Sequence, residues 1–238
     1  MKTIIFGDIH GRTVWRDILN KENPDLVVFL GDYVSTHENI SSEQQIENLL
    51  EILLLKENCP ERTVLLRGNH DIQHLGYYWA ECSGLDRTVL KFMSSPDLKD
   101  RFLKNTVWLY TFDMDGQKYL CSHAGVSQVW FDRCGVKTVD EINTLPPSEL
   151  FSFTPGSPWD FDGNSPCQPC TWIRPVSLYT SALPGYNQIV GHTPLKLDLP
   201  KDLESRVDGS IIWLCDTLHV PSYLVVEDNR ITPVKWEP

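Results

Sequence analysis

Short apolar runs bounded by turn residues recur along the chain and set its pattern. Most of them carry β-branched or aromatic side chains and are too short for helices, so each predicts a buried strand. A glycine and an aspartate, asparagine or histidine follow each run within a few residues. Five such runs are Ile4–Phe6, Val27–Leu30, Val64–Leu66, Tyr119–Cys121 and Ile189–Val190.

Apolar residues at every third or fourth position predict helices between the early runs. One helix is expected at about residues 13–21, and another at Ser42–Asn58. A helical insert is expected at about residues 72–104. Because serine, glycine and proline interrupt helices, we expect breaks in it at Ser83-Gly84 and at Ser94-Ser95-Pro96.

Strand signals return in the second half of the chain. Residues at about 140–185 hold many prolines, serines and aromatic side chains, and they predict a long irregular insert that selects substrates. The alternation of strands and helices predicts an α/β fold, and the length suits one domain over residues 1–238. Further strands are expected at about residues 107–112, 117–121, 188–190, 211–215, 223–227 and 230–234, with turns at Met114-Asp115-Gly116 and Asp228-Asn229.

Each of the five runs leads into a loop that carries a metal-ligating side chain near a glycine. Glycine lets the chain turn sharply where a strand ends. Because open α/β sheets place their sites at the carboxyl ends of the strands, we expect these side chains to gather at one edge of a sheet. The candidate ligands are Asp8, His10, Asp32, Asn69, His123 and His192.

These ligand types predict a site for two metal ions. Carboxylate, imidazole and amide oxygen without thiolate suit Mn, Fe or Zn, of which Mn is expected. Two ions about 3.5–4 Å apart can clamp the attacking and leaving oxygens of a phosphoryl transfer. Asp32 is the best candidate to bridge them. One ion would take Asp8 and His10, with a distal histidine left open, and the other would take Asn69 and the remaining histidines.

The same loops supply candidates for the chemical step. A water held by two such ions loses a proton more easily and becomes a nucleophile near neutral pH. His70 directly follows Asn69, where it can protonate the leaving alkoxide as a general acid. A purely structural role for His70 is the alternative.

Taken together, the motifs resemble the calcineurin-like metallophosphoesterase superfamily, in the order in which that superfamily has them. Within it they look most like the serine/threonine phosphoprotein phosphatases, a likeness shared by bacterial and phage phosphatases and by symmetrical diadenosine tetraphosphate hydrolases. The resemblance implies a β-sandwich of mixed sheets flanked by helices, with the metal site at the strand-end loops. The motifs are Gly7–Gly11, Gly31–Val34, Arg67–Asp71, Ser122–Gly125 and Gly191-His192.

The resemblance also implies a role for each matching position. It places Asp8, His10 and Asp32 on the first ion. It places Asp32, Asn69, His123 and His192 on the second, with Asp32 shared. His70 matches the general acid. Arg174, in the segment Trp172-Ile173-Arg174, matches an arginine that binds the substrate phosphate, and Asn69 is expected to face the substrate as well.

One segment departs from the family pattern. After Gly31–Val34 the family continues with Asp-Arg-Gly, whereas this chain has Ser35-Thr36-His37. The aspartate would have oriented the general-acid histidine, and Ser35 and Asp71 are the candidates to replace it. The arginine would have been a second phosphate ligand, and His37 is the candidate to replace it.

Charge and cysteine content limit the partners and the location. The formal net charge of −11 and a pI near 5.0 argue against a surface that binds a nucleic-acid backbone. Met1-Lys2 leads straight into a ligand-bearing strand, and no apolar run is long enough to span a membrane, so a cytoplasmic protein is expected. The seven cysteines are expected to be reduced. An ordinary loop is expected at Cys167–Cys170, with a zinc or redox pair as the alternative.

The preferred function is therefore a two-metal phosphoesterase that hydrolyses phosphomonoesters, with phosphoproteins as the leading substrate class by resemblance. Hydrolysis of a nucleotide anhydride such as diadenosine tetraphosphate, or of a phosphodiester, is the enzymatic alternative. A catalytically weak module that binds phosphate or a partner protein is the alternative outside enzymes. Asp216 is a candidate to support a ligand histidine, and Trp159 and Trp172 are candidates for a floor that stacks on a base or for packing.

Overall fold

Two five-stranded mixed sheets lie face to face in the computed structural model, which describes residues 1–36, 38–154, 163–217 and 220–237. Ten strands make up the two sheets within these ranges. The strands are β1 Thr3–Phe6, β2 Leu26–Phe29, β3 Thr63–Leu65, β4 Leu109–Met114, β5 Gln117–Ser122, β6 Asn187–Val190, β7 Lys201–Glu204, β8 Ile211–Leu214, β9 Ser222–Glu227 and β10 Arg230–Lys235.

Each sheet contains three parallel strands and two further strands. The first has the order β10-β9-β1-β2-β3, and the second has the order β4-β5-β6-β8-β7. In the first, β1, β2 and β3 run parallel, β9 runs antiparallel to β1, and β10 runs antiparallel to β9. In the second, β5, β6 and β8 run parallel while β4 and β7 are antiparallel edge strands. Each sheet therefore directs the carboxyl ends of three parallel strands toward a common end.

Helices cover the outer faces of the sheets. The early helices α1 and α2 pack on β1 and β2, and the last helix α7 packs on β6 and β8. Ser41 caps α2, because its side chain accepts from the backbone of Gln44 while the Gln44 side chain accepts in return. The helices are α1 Trp15–Glu22, α2 Ser42–Asn58, α3 Asn69–His74, α4 Arg87–Met93, α5 Pro96–Asn105, α6 Gln128–Cys134 and α7 Pro175–Ser181.

Strand β1 is buried on both faces. Ile4 and Phe6 belong to the core under α1 and α2, whereas Ile5 belongs to a second core between the two sheets. Side chains alternate across a strand, so both faces of β1 are apolar because both are covered. Ile5 meets residues of the second sheet in this central core, among them Cys121 and Ile189.

The expected α/β architecture of mixed sheets flanked by helices is confirmed. The helix at 42–58, the breaks in the helical insert and the strands on which the ligand loops depend all lie where the sequence predicts them, within a few residues. The prediction of an irregular insert at 140–185 is wrong in part, because α7 lies within it. Two more elements were not expected, α6 and the edge strand β7.

The described part of the chain contains no helix of the length and apolarity that a membrane crossing requires.

Two neighbouring leucines of α2 give a direct test of the packing. Leu53 is 0% exposed, whereas Leu54 is 49% exposed. We expect Leu53→Ala to lower the free energy of unfolding by about 2–5 kcal/mol, because it leaves a cavity in the core. Leu54→Ala, the matched control, should change it by less than about 1 kcal/mol. Urea unfolding followed by circular dichroism measures both, and equal losses would contradict the packing of α2 on the first sheet.

Candidate active site

The predicted metal ligands converge at the end of the molecule where the parallel strands of both sheets finish. Asp8 and His10 follow β1, Asp32 follows β2, and Asn69 begins α3 after β3. His123 and His192 follow β5 and β6 of the second sheet. The expectation of a site at one edge of a single sheet is therefore wrong, because the ligand loops come from two sheets that meet there.

Two groups of ligand atoms share one carboxylate. Asp8, His10 and Asp32 form one group, and Asp32, His123 and His192 form the other. In each group the ligand atoms all lie within 4.8 Å of one another. Asn69 extends the second group, since its Oδ1 lies 3.0 Å from Nε2 of His123. The structure thus gathers all six predicted ligands, with Asp32 in the shared position.

Three of these ligands have left-handed backbone conformations. The φ angles of His10, Asp32 and His192 are 47°, 50° and 63°. Such conformations cost free energy for residues other than glycine and persist where the surroundings enforce them, most often at functional sites. The enforcing contacts include backbone N–H groups of Ile9 and His10, which both donate to the carbonyl of Asp32, at 3.1 and 2.7 Å.

The ring nitrogens of two histidines are already oriented for a metal. Nδ1 of His10 lies 3.2 Å from the carbonyl oxygen of Val34, and Nδ1 of His123 lies 2.9 Å from that of Leu30. A carbonyl can only accept, so Nδ1 carries the proton in each ring and Nε2 points into the site. There Nε2 of His10 is 3.6 Å from Oδ2 of Asp8, and Nε2 of His123 is 3.4 Å from Oδ2 of Asp32.

Asp71 fastens two of the ligand loops to each other. Its carboxylate accepts backbone hydrogen bonds from Asp32 and Tyr33 at 2.8 Å and from Gly68 at 2.9 Å. These bonds join the loop after β2 to the loop after β3. Asp71 therefore orients the backbone that carries Asp32, not the ring of His70. The prediction that Asp71 takes the place of the family's aspartate is wrong.

His70 lies against both ligand groups. Its backbone N–H donates to Oδ1 of Asp32 at 3.0 Å, and its ring meets that of His10 edge-on, with 5.6 Å between centroids. Its Nδ1 lies 3.8 Å from Sγ of Cys82. Ser35, the other expected partner, instead donates its hydroxyl to the carbonyl of Gly84 at 2.8 Å. A weakly polar thiol thus stands beside the proposed acid.

The pKa values of the two oriented histidines reveal a strongly anionic site. Burial alone would lower the pKa of His10, but Asp8 and Asp32 raise it to about 9. Burial likewise would lower the pKa of His123, but the charge of Asp32 raises it to about 10. Burial would raise the pKa of Asp32, yet the histidines hold it well below its usual range. The field that retains protons on the histidines would also attract divalent ions, which would displace those protons on binding.

His70 and His192 differ from these two histidines. Burial lowers the pKa of His70, and burial together with the charge of His123 places that of His192 well below its usual range. Nε2 of His192 is buried and makes no hydrogen bond with the described residues. A neutral imidazole with an unused buried nitrogen fits a metal ligand.

Asp216, which follows β8, is a further carboxylate at the site. It is 1% exposed, and neither of its oxygens has a hydrogen-bond partner among the residues that the structure describes. Burial and the charge of Asp8 raise its pKa well above the usual range. A buried carboxylate without a partner is costly unless a cation compensates it. With the oxygen and nitrogen donors already described, this residue makes the site suitable for divalent ions such as Mn, Fe or Zn.

A cavity of about 350 Å³ opens over the ligands. Arg174 lines it, and its Nη1 donates to the carbonyl of His192 at 3.0 Å and to Oγ1 of Thr193 at 3.2 Å. Trp172 lines it too, with its ring edge-on to His192 at 5.4 Å. Two residues that the sequence did not single out, Arg12 and Glu38, form part of the same wall.

Four further residues named from the sequence are not placed at the site by the structure. His37 and Trp159 fall outside the described residues, so the structure does not place them. Cys167 and Cys170 are free thiols, and neither joins a metal-ligand cluster within the described chain. Cys82 had no signal in the sequence, since only the fold brings it to His70.

Comparison with known proteins gives a consistent result. The family model for calcineurin-like phosphoesterases matches residues 1–194. The serine/threonine-protein phosphatase PP1-delta of Caenorhabditis elegans is 30% identical over 152 residues, which are 60% of this chain and 43% of that protein. The chain thus spans less than half the length of this curated relative.

Solved structures show the same fold. A cold-active protein-tyrosine phosphatase of a psychrophilic Shewanella species has a TM-score of 0.64 and 19% identity, over 98% of this chain and 77% of that one. A protein serine/threonine phosphatase from Saccharomyces cerevisiae has a TM-score of 0.59 and 15% identity, over 100% of this chain and 81% of that one. At these identities the likeness bears on the fold alone.

Gly68 offers a test of the ligand geometry, because its backbone angles, φ −95° and ψ 170°, are open to alanine. A Cβ there would lie 2.0 Å from Oδ1 of Asp32. We expect Gly68→Ala to displace Asp32 and to weaken Mn binding in calorimetry by about 10–100-fold. Gly135→Ala is the control, since its Cβ would meet nothing within 4 Å, although its φ of 67°, unlike that of Gly68, is unfavourable for alanine. Unchanged Mn binding by Gly68→Ala would contradict the assignment of Asp32.

Proposed function

The chain belongs to the calcineurin-like phosphoesterase family, and on this premise we propose that it is a two-metal hydrolase of phosphomonoesters. The observation that carries the proposal is the pair of ligand groups that share Asp32. Members of the family use divalent metal ions, and the donor set described above fits them. His70 and Arg174 line the same cavity as these ligands, which supports an enzyme over a module that only binds phosphate.

Phosphoproteins are the substrate class that we propose first. The support is the 30% identity to a serine/threonine-protein phosphatase. Nucleotide anhydrides and phosphodiesters are the alternatives to compare in the same assay. Mn is the metal that we propose, with Fe and Zn as the alternatives, because the donors are nitrogen and oxygen atoms.

The bound ions would supply activation of the attacking water and neutralisation of charge on the phosphate. Asp8, His10 and Asp32 would hold the first, and Asp32, Asn69, His123 and His192 the second. Two contacts support the shared role of Asp32: the backbone N–H of His70 donates to its Oδ1, and Asp71 accepts from its backbone N–H. His10 and His123 would release their protons as the ions bind.

Two residues act on the substrate in this proposal. Arg174 donates from its guanidinium to the phosphate, a charge-assisted bond that fixes the orientation of the phosphorus. As the water oxygen bonds to phosphorus, the bond from phosphorus to the leaving oxygen breaks, and His70 gives its proton to that oxygen. Burial lowers the pKa of His70, which makes its protonated form a stronger acid.

Metal-dependent turnover of an aryl phosphate tests the function. The Mn-loaded protein should hydrolyse p-nitrophenyl phosphate, lose activity with a chelator and regain it with added Mn. Asp32→Asn should lose most of the activity and both ions by elemental analysis, because it weakens both ligand groups at once. Asp132→Asn, the same change at an exposed position, is the control.

A panel of phosphopeptide, diadenosine tetraphosphate and cyclic nucleotide then ranks the substrate classes by kcat/KM. At most one ion per chain, in protein reconstituted with each of the three metals, would contradict the two-metal site. Two ions without turnover of any substrate would contradict the enzyme.

The role of His70 is tested by the leaving group. His70→Asn should lose about 10²–10⁴ in kcat on alkyl phosphates, whose alkoxide needs a proton. It should lose much less on p-nitrophenyl phosphate, whose phenolate leaves unaided. Equal losses on both substrates would show that His70 only supports the ligand groups.

A further inference from the structure

Arg12 stands in the wall of the site cavity without a role in the chemistry described so far. It lies two residues after His10, and it lines the cavity together with Arg174 and most of the ligands. The cavity lining, as far as the structure describes it, has these two arginines as its cationic side chains besides the histidines. A second guanidinium beside a phosphate site is a candidate for binding phosphate, since its planar fork matches two oxygens.

The backbone of Arg12 is fixed, so only its side chain can adjust. Its N–H donates to the carbonyl of Ile9 at 2.9 Å, and its own carbonyl accepts from Nδ2 of Asn48 at 3.2 Å. Asn48 is 0% exposed, and its Oδ1 accepts from Nε1 of Trp15 at 2.9 Å. The backbone of Arg12 is therefore anchored to the core two residues after the ligand His10.

One oxygen of Glu38 holds the guanidinium. Oε1 accepts from Nε of Arg12 at 2.8 Å and from Nη2 at 2.5 Å. Nη1 makes no hydrogen bond with any residue that the structure describes. The side chain of Glu38 is 47% exposed and that of Arg12 is 19% exposed. An ion pair this open to water is weak, so a phosphate dianion in the cavity can displace the single carboxylate oxygen.

We propose that Arg12 binds the phosphate of the substrate and that Glu38 competes with the phosphate for it. This inference rests on the proposed phosphoesterase function, because it assigns the phosphate to the cavity over the ligands. Glu38 holds Arg12 until phosphate arrives, and release of the product restores the pair. Arg174 and Arg12, which both line the cavity, then bind the phosphate together.

Inorganic phosphate is the probe, measured by calorimetry on Mn-loaded protein and as a competitive inhibitor of p-nitrophenyl phosphate turnover. Arg12→Ala should raise the dissociation constant of phosphate about tenfold or more, and Arg12→Lys should restore part of the loss. Glu38→Gln should lower the constant by about twofold to fivefold, because it frees the guanidinium. In the Arg12→Ala background, Glu38→Gln should change nothing.

The double variant separates the competition from simple charge. If Glu38→Gln tightens phosphate binding equally with and without Arg12, the carboxylate acts through its charge alone and the inference is wrong. It is also wrong if both single variants weaken phosphate binding and lower the melting temperature together, since the pair then only joins two loops. Arg16→Ala and Glu51→Gln are the matched controls, because this neighbouring pair, with 2.6 Å between Nη2 and Oε2, does not line the site cavity.

Failure of this inference is distinct from failure of the proposed function. Wild-type protein that hydrolyses p-nitrophenyl phosphate while Arg12→Ala binds phosphate normally would overturn the inference alone. Wild-type protein that neither hydrolyses any substrate nor binds phosphate would overturn both.

Discussion

Buried negative charge is the constraint on which the site depends. Asp32 and Asp216 are each 1% exposed, and the side chain of Asp8 is equally buried. Burying carboxylates costs free energy unless cations or hydrogen bonds compensate. Protons on His10 and His123 provide part of the compensation, as their raised pKa values show. Two divalent ions would bring four positive charges against these three carboxylates, and the surplus would favour an anionic substrate.

The fold tolerates backbone strain at the site because the surrounding structure holds the ligand loops in place. Left-handed backbones at His10, Asp32 and His192 cost free energy locally, yet these residues supply ligands to both groups, with Asp32 shared. The strain is offset by strands with two covered faces, such as β1 and β2, and by Asp71, which ties two ligand loops with three backbone hydrogen bonds. The sheets thus provide the stability, and they hold the loops at their ends in conformations that would be unfavourable in isolation.

The sequence predicted the ligand groups because their signals are local and repeated. An apolar run, a glycine and a ligand within a few residues give the strand end at Asp8 as clearly as at His192. Helix α2 was predictable for a similar reason, since its cap and its apolar face span many residues. Helix α6 was not predicted, because seven residues give little periodicity and its position depends on the cap at Ser127 and on buried Trp130.

Contacts between distant segments were also beyond prediction. Strand β7 is mostly exposed and lies at a sheet edge, so it lacks an apolar pattern. Cys82 and Arg12 carry no motif, and only the folded chain shows that one meets His70 and the other lines the cavity. The hypothesis that Asp71 orients His70 is wrong, because the carboxylate of Asp71 already accepts hydrogen bonds from backbone N–H groups.

The metal ligands and the rest of the cavity lining come from different parts of the fold, and this difference limits what relatives can reveal about substrates. The ligands follow strand ends that both sheets hold in place. The backbone N–H of His192 donates to Oδ1 of Asp8 at 2.9 Å, and this bond joins residues 184 positions apart. The substrate side comes from the segment around Thr36 and Glu38, from Ser83 in the helical insert and from Trp172 and Arg174. Those segments lie in loops and inserts, where sequence changes without disturbing the core. The ligand residues can therefore keep one chemistry while the rest of the cavity lining determines which phosphate ester would bind.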